Sequence, residues 1–78
     1  MSVQAKKGWI EPEPTVRELE VLRLICNGCT TEEIAARLGI TFKTVATHRM
    51  HLMEKSGARN SILLFRWALK NGYVSLDD

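Results

Sequence analysis

Apolar residues recur every three or four positions along most of this chain, in four short runs separated by glycine, asparagine and threonine. This spacing is typical of amphipathic helices that bury one face against a common core. The first run extends from about Val16 to Asn27. Thr15 and Glu18 have the spacing of a capping box at its start, and Gly28 is placed to end it. The pattern therefore predicts an all-α fold of four helices.

The segment from Thr30 to Lys55 is the most informative, because it contains two such runs with a tight turn between them. Thr30 and Glu33 again have capping-box spacing, and Gly39 follows the last apolar residue of the first run, where a glycine ends a helix. Thr41 is placed to cap a longer helix that reaches about Lys55. This arrangement predicts a helix-turn-helix, a motif whose second helix enters the major groove of DNA.

The second helix of the predicted motif has two distinct faces. Val45, His48 and Leu52 repeat at intervals of three and four residues, so we expect them to point together into the core. The residues expected to face outward are Lys43, Ala46, Thr47, Met50 and Glu54. The outward face is therefore the part of the motif that is available to a partner.

The formal net charge is only +2, but the charge is unevenly distributed. Acidic side chains outnumber basic ones between residues 11 and 40, whereas basic ones dominate between residues 41 and 59. A basic surplus on the second helix of the motif, including Lys43, is expected for phosphate binding, although a solvated helix face has the same composition. Arg49 can bind DNA or pair with Glu18 or Glu20, and its place beside the core edge favours the pair. His51 is a candidate for either a DNA contact or an internal pair, and it is expected to be exposed near the DNA backbone.

Length and composition argue against several classes of protein. A chain of 78 residues forms one small domain, which leaves little room for a large catalytic cleft. No apolar run approaches the roughly 20 residues that cross a bilayer, and the N-terminus lacks the apolar core of a signal peptide. Neither a catalytic constellation nor a glycine-rich phosphate loop occurs. We expect a cytoplasmic protein that is not an enzyme, has no cofactor and does not bind membranes.

The cysteine and histidine side chains could bind a metal, react or titrate, but those considered next are expected to be structural. Cys26 and Cys29 have a spacing found in zinc and redox sites, yet no second cysteine pair accompanies them, so no metal site is expected. Packing against the core is the favoured interpretation, with a thiol switch as the alternative. His48 is expected to be a structural residue whose ring is hydrogen-bonded, with pH sensing as its alternative.

Taken together, these motifs resemble the LuxR/GerE-type DNA-binding domain from about Pro14 to Val74. The residues that carry the resemblance are Thr15 to Glu18, Gly28, Glu33, Ile34, Ala35, Leu38, Thr41, Thr44, Val45, His48, Leu52, Lys55, Gly57 and Gly72. So long a pattern is specific. It implies a four-helix domain of a transcription regulator, in which the third helix enters the major groove of double-stranded DNA and the fourth commonly mediates dimerisation.

The resemblance also implies roles for single side chains. Phosphate-contacting positions of the family are occupied by Thr41, Thr44 and Lys55, and base-facing positions by Thr47 and Met50. Lys43, on the same surface, is expected to contact phosphate as well. Ala46 stands where the family has a lysine, so an apolar contact is expected there, with either a lower affinity or a shift of preference toward A·T pairs.

The last apolar run, from about Ser61 to Asn71, carries more apolar surface than one buried stripe requires, and Asn60 is placed to cap it. With Ala68 directed toward the core, Leu63 and Trp67 fall on the opposite or lateral side of the helix. Two large apolar residues one turn apart on an exposed face indicate a contact surface. A symmetric homodimer is the expected use of this face.

Residues 1–14 are expected to form an arm that precedes a domain at residues 15–78. Pro12 and Pro14 favour an extended backbone there. Trp9 and Ile10 are the apolar exceptions in this polar segment, and we expect them to pack back on the domain. If they cover Leu63 and Trp67 within one chain, the predicted dimer contact is not needed.

The sequence thus predicts a sequence-specific transcriptional regulator that binds a roughly palindromic duplex as a homodimer, with Thr41 to Lys55 in the major groove. RNA polymerase is a further candidate partner. The alternative is a protein interaction module with the same fold, which uses Leu63 and Trp67 and has weakened DNA binding because of Ala46. The initial Met1 suits a free-standing regulator, although an excised domain would look the same.

Overall fold

The computed structural model describes residues 13–76, and within that range it contains four α-helices and no strand. They are α1 (Val16–Cys26), α2 (Thr31–Leu38), α3 (Phe42–Ser56) and α4 (Ser61–Lys70). The predicted all-α fold is confirmed, and the predicted helix boundaries differ from these by at most one residue. The predicted arm, with Trp9 and Ile10, lies almost entirely outside the described residues.

The helices begin at the cap residues that the sequence predicts. Thr15 Oγ1 accepts a hydrogen bond from the backbone N–H of Glu18 at 3.1 Å, while Glu18 Oε1 accepts one from the N–H of Thr15 at 3.0 Å. Thr30 and Glu33 form the same reciprocal pair at the start of α2, at 3.1 and 2.8 Å. The side chain of Asn60 caps α4. These bonds satisfy backbone donors that a helix start otherwise leaves unpaired.

The hydrophobic core lies between α1 and α3, each of which contacts the other three helices, whereas α2 and α4 do not touch within the described part of the chain. The buried apolar residues of this core are Val21, Leu22, Ile25, Ile34, Val45, Leu52, Leu64 and Ala68. Val45 and Leu52 are both fully buried, which confirms the predicted inward direction of these two residues of α3, whereas His48 is half-buried. Because these two side chains are locked in the core, α3 is fixed in its rotation about its own axis.

The turn between α2 and α3 consists of Gly39, Ile40 and Thr41. Gly39 has a φ of 69°, the left-handed conformation predicted for a glycine that ends a helix. Ile40 donates its backbone N–H to the carbonyl of Ala35 at 3.1 Å, and its side chain packs against the core. The start of α3 is therefore held in a defined position relative to α2.

Candidate nucleic-acid interface

One side of α3 is exposed along most of the helix, since the opposite side is held in the core. This surface, called the α3 outer face, comprises the exposed residues Thr41, Phe42, Lys43, Thr44, Ala46, Thr47, Met50 and Glu54. It contains every residue predicted to face outward. Phe42, which sequence reasoning missed, is 57% exposed, and Met50 is 51% exposed. The signal for Phe42 was its position directly after the cap residue Thr41, at the start of the helix.

The beginning of α3 has hydroxyl groups where α1 and α2 have a carboxylate. Thr41 Oγ1 accepts a hydrogen bond from the backbone N–H of Thr44 at 3.1 Å and lies 2.9 Å from Thr44 Oγ1. No acidic residue occurs in the first turn of α3, so no side chain of that turn neutralises the partial positive charge of the helix end. Lys43 is exposed in the same turn. Such an arrangement can bind an anionic oxygen such as that of a phosphate.

At the other end of α3, the side chain of Lys55 points into the protein. Its Nζ donates to Glu18 Oε1 at 2.6 Å and to the backbone carbonyl of Glu13 at 3.2 Å. The side chains of Lys55 and Glu18 are each only 5% exposed. This position does not suit the phosphate contact that the resemblance implies, because the amine is enclosed and already bound to a carboxylate. Lys55 instead joins the C-terminal part of α3 to the start of α1.

The carboxylate of Glu18 is contacted by three polar groups in all, which makes it the centre of a small polar cluster. Lys55 and the backbone N–H of Thr15 donate to it, and His51 Nδ1 lies 3.4 Å from Oε2. Burial raises the pKa of Glu18, but the hydrogen bonds from Lys55 and Thr15 and the charges of Lys55 and His51 together hold this pKa below its ordinary value. Of the two roles expected for His51, the geometry therefore favours the internal contact.

The predicted ion pair between Arg49 and Glu18 or Glu20 is wrong. Glu18 is occupied by the cluster just described, and Glu20 binds Arg17 instead, at 3.0 Å. Among residues 13–76, Arg49 forms no ion pair, and its side chain is half-buried. Its guanidinium is therefore a remaining candidate for a DNA contact.

His48 and the two cysteines occupy the edge of the core. His48 is half-buried, and its Nδ1 atom is buried without a hydrogen-bond partner among the described residues. The hydrogen bond that we expected for this ring is therefore not present at Nδ1. Cys26 and Cys29 are free thiols that pack against the core, as predicted. Burial raises the pKa of Cys26, which disfavours the reactive thiolate. Within residues 13–76, no cluster of side chains is placed to hold a metal ion.

The outer side of α4 is less exposed than the sequence indicates. Leu63 and Trp67 are both half-buried, and the Trp67 ring packs against the core and lies 5.2 Å from the ring of Tyr73. The most exposed large apolar residue of this helix is Ile62, at 73%. An open depression on this side is lined by Leu63, Arg66, Trp67, Leu69 and Lys70. A dimer contact at Leu63 and Trp67 stays a prediction.

No helix in the part of the chain that the structure describes is both long and apolar enough to cross a bilayer. The four helices carry their apolar surface mainly toward one another.

Comparison with known proteins identifies a family and several relatives. The family described as bacterial regulatory proteins, luxR family, matches residues 15–68, which include the first three helices and most of α4. The chain is 42% identical over 62 residues to the uncharacterized response regulatory protein YgeK of Escherichia coli, a match that covers 80% of this chain and 42% of that protein. It is 46% identical over 61 residues to the transcriptional regulatory protein MctR of Rhizobium johnstonii, which covers 78% of this chain and 28% of that protein.

A third relative is the oxygen regulatory protein NreC of Staphylococcus aureus, 44% identical over 54 residues, or 69% of this chain and 25% of that protein. The chain thus spans less than half the length of each of these three curated relatives. No solved structure matches the chain. Because the family match covers well over half of the chain and the described helices form a helix-turn-helix, the chain belongs to the luxR family of bacterial regulatory proteins.

Proposed function

We propose that this domain binds double-stranded DNA in a sequence-specific manner, with α3 in the major groove, and thereby regulates transcription. The observation that carries the proposal is the α3 outer face, whose side chains are exposed while Val45 and Leu52 hold the opposite side in the core. A rigid helix with one free face, preceded by a shorter helix and a tight turn, is the geometry that reads a groove. Membership of a family of bacterial regulatory proteins supports the same function.

In this proposal, the beginning of α3 positions the domain on the phosphate backbone. Thr41, Lys43 and Thr44 supply two hydroxyls and a cation at a helix end with no acidic residue in its first turn. Such contacts fix register and orientation but do not distinguish sequences. Arg49 is a further candidate for this role, because no carboxylate of the described residues pairs with it.

The middle of the outer face is proposed to read the bases. Ala46, Thr47 and Met50 are all exposed there. The Thr47 hydroxyl can hydrogen-bond to base edges, and the apolar groups of all three can contact the 5-methyl group of thymine. The reading surface is therefore less charged than one built on lysine or arginine, which favours A·T-rich half-sites.

We further propose that two copies bind together through the outer side of α4. Support comes from the open depression beside this helix, where Leu63 and Trp67 leave apolar surface accessible between Arg66 and Lys70. A symmetric pair would place two recognition helices about one DNA turn apart, roughly 34 Å, so that the operator is palindromic. Sedimentation over rising protein concentration should show a monomer–dimer equilibrium, and a chain that stays monomeric at the highest concentration argues against this interface.

Selection from a random duplex library, read by sequencing, tests the function itself. We expect enrichment of an inverted repeat whose half-sites are separated by one helical turn of DNA. The affinity for the selected duplex should fall as salt rises, with log affinity linear in log salt. If the folded domain enriches no sequence, the proposal is wrong, and the alternative of a protein interaction module becomes the better account.

A further inference from the structure

Phe42 is a large aromatic side chain that the core does not use. It is the first residue of α3 and is 57% exposed, whereas Val45 and Leu52 of the same helix are fully buried. Its backbone is fixed in place, because the preceding Thr41 caps the helix. An apolar ring left in water at such a defined position suggests that a binding partner covers it.

Phe42 is the first residue of an apolar stripe along α3. Phe42, Ala46 and Met50 follow one another at intervals of four residues, so they lie one above the other on the same side of α3, and all three are exposed. At a rise of 1.5 Å per residue, the stripe is about 12 Å long, which corresponds to roughly three to four base pairs of DNA.

The neighbours of this stripe favour DNA over a second apolar protein surface. Thr41, Lys43 and Thr44 surround its beginning with exposed hydroxyls and a cation, and the first turn contains no acid. A protein partner that covered Phe42 would have to cover these polar groups as well. In a major groove, the same polar groups face the phosphates that flank the bases. DNA can therefore contact the apolar stripe and the polar groups at the same time.

We propose that Phe42 is a specificity-determining residue, which packs against the 5-methyl group of a thymine at the edge of each half-site. This assignment rests on the proposed function, because it requires α3 to enter the major groove. The N-terminal residues of a recognition helix contact base edges, and the thymine methyl is the apolar group that this groove presents. The stripe then reads thymines at successive positions, with Phe42 at one end and Met50 at the other.

Replacing thymine by deoxyuridine tests this contact, since it removes the methyl group and nothing else. In the duplex found by selection, each thymine is replaced in turn, and binding of the wild-type protein is measured by fluorescence anisotropy. We expect a loss of about three- to fourfold per contacted methyl, the value of one buried methyl group. With Phe42→Ala, one thymine position should lose its discrimination, while positions read by Met50 keep theirs.

Two further variants separate the proposed contact from a general effect. Phe42→Leu retains an apolar side chain and should preserve part of the discrimination. Val16→Ala is the matched control, because Val16 is likewise the first residue of its helix and is 77% exposed, but on α1. It should leave both affinity and discrimination unchanged.

The outcomes distinguish this assignment from the proposed function. If the wild-type protein binds its selected duplex but no deoxyuridine substitution weakens binding, or if Phe42→Ala weakens thymine and deoxyuridine duplexes equally, the assignment of Phe42 is wrong and DNA binding stands. If the wild-type protein binds no duplex, the proposed function is wrong and the assignment falls with it.

Discussion

The Nζ atom of Lys55 lies 2.6 Å from Oε1 of Glu18, and this buried contact joins the last turns of α3 to the first turn of α1. The same carboxylate oxygen accepts the backbone N–H of Thr15 and so also caps α1. The two ends of α3 consequently differ. Its beginning has exposed hydroxyls and the exposed cation of Lys43, whereas the lysine at its far end stabilises the fold.

Lys55→Met should destabilise the domain by about 3 kcal/mol, because it leaves the Glu18 carboxylate buried without its main counter-charge. Urea unfolding measures the loss. The matched control is Arg17→Met, which removes the exposed pair with Glu20, whose side chains are 43% and 44% accessible. That change should cost less than about 1 kcal/mol. Equal losses in the two variants would show that the buried pair has no special role.

Stability should also depend on the ionisation of Glu18. The pKa of this carboxyl is held below its ordinary value of 4.5 in the folded state, so its contribution is fully present above that pH and is lost as pH falls through the folded-state pKa. Glu18→Gln should therefore reduce the urea midpoint at pH 7, and the difference from wild type should shrink toward pH 3. Glu20→Gln controls for the loss of one exposed carboxylate. A difference for Glu18→Gln that stays constant with pH would contradict this account.

The helices and their caps could be predicted from the sequence because their signals are local. The bonds between Thr15 and Glu18, and between Thr30 and Glu33, involve residues three apart, so spacing alone identifies them. The left-handed turn at Gly39 is equally local. Such features do not depend on how distant helices pack.

The ion pairs were misassigned because they join residues far apart in the sequence. Lys55 is three positions after Leu52 and therefore continues the buried stripe of α3, just as Glu18 precedes Val21 on the stripe of α1. When two buried stripes face each other and carry opposite charges, as with Lys55 and Glu18, the two charges are expected to form an ion pair. Arg49 lies at the edge of this stripe and is half-buried, so the helical pattern placed it near the core without identifying a partner for it.

The exposure of Trp67 was overestimated for a related reason. Its ring lies beside Tyr73, which follows α4 after the turn at Gly72. The periodicity of α4 describes how that helix meets the core but not where the chain goes afterwards. The helical pattern therefore cannot predict that Trp67 is covered by Tyr73, a residue outside its own helix.

Lys43 and Lys55 should affect DNA binding differently. Lys43→Ala should lower the slope of log affinity against log salt by about 0.9 per half-site, since it removes one phosphate contact. Lys55→Ala should destabilise the fold. In the protein that remains folded, the slope of log affinity against log salt should be unchanged. Titrations of the selected duplex at several salt concentrations, under conditions in which each variant is folded, make the comparison. A reduced slope for Lys55→Ala alone would restore the phosphate role that the resemblance implies.

Gly39→Ala should destabilise the domain by about 1 to 2 kcal/mol, through backbone strain alone. The φ of Gly39 is +69°, and an added Cβ meets no atom within 4 Å, so no steric clash contributes. Gly39→Asn is the informative partner variant, since asparagine tolerates this conformation and should cost less. Thermal unfolding ranks the three proteins. An alanine variant as stable as the asparagine variant would contradict the strain argument.

In the proposed complex, the α3 outer face touches DNA while the opposite side of α3 stays in the core. Titration of the isotope-labelled domain with its selected duplex, followed residue by residue in NMR spectra, tests it most directly. We predict the largest shift changes at Thr41 to Thr44 and at Thr47 and Met50, with small changes at the buried Val21 of α1 and at the Lys55 amine. The largest changes on α1 or α4, with the outer face of α3 unaffected, would contradict the claim.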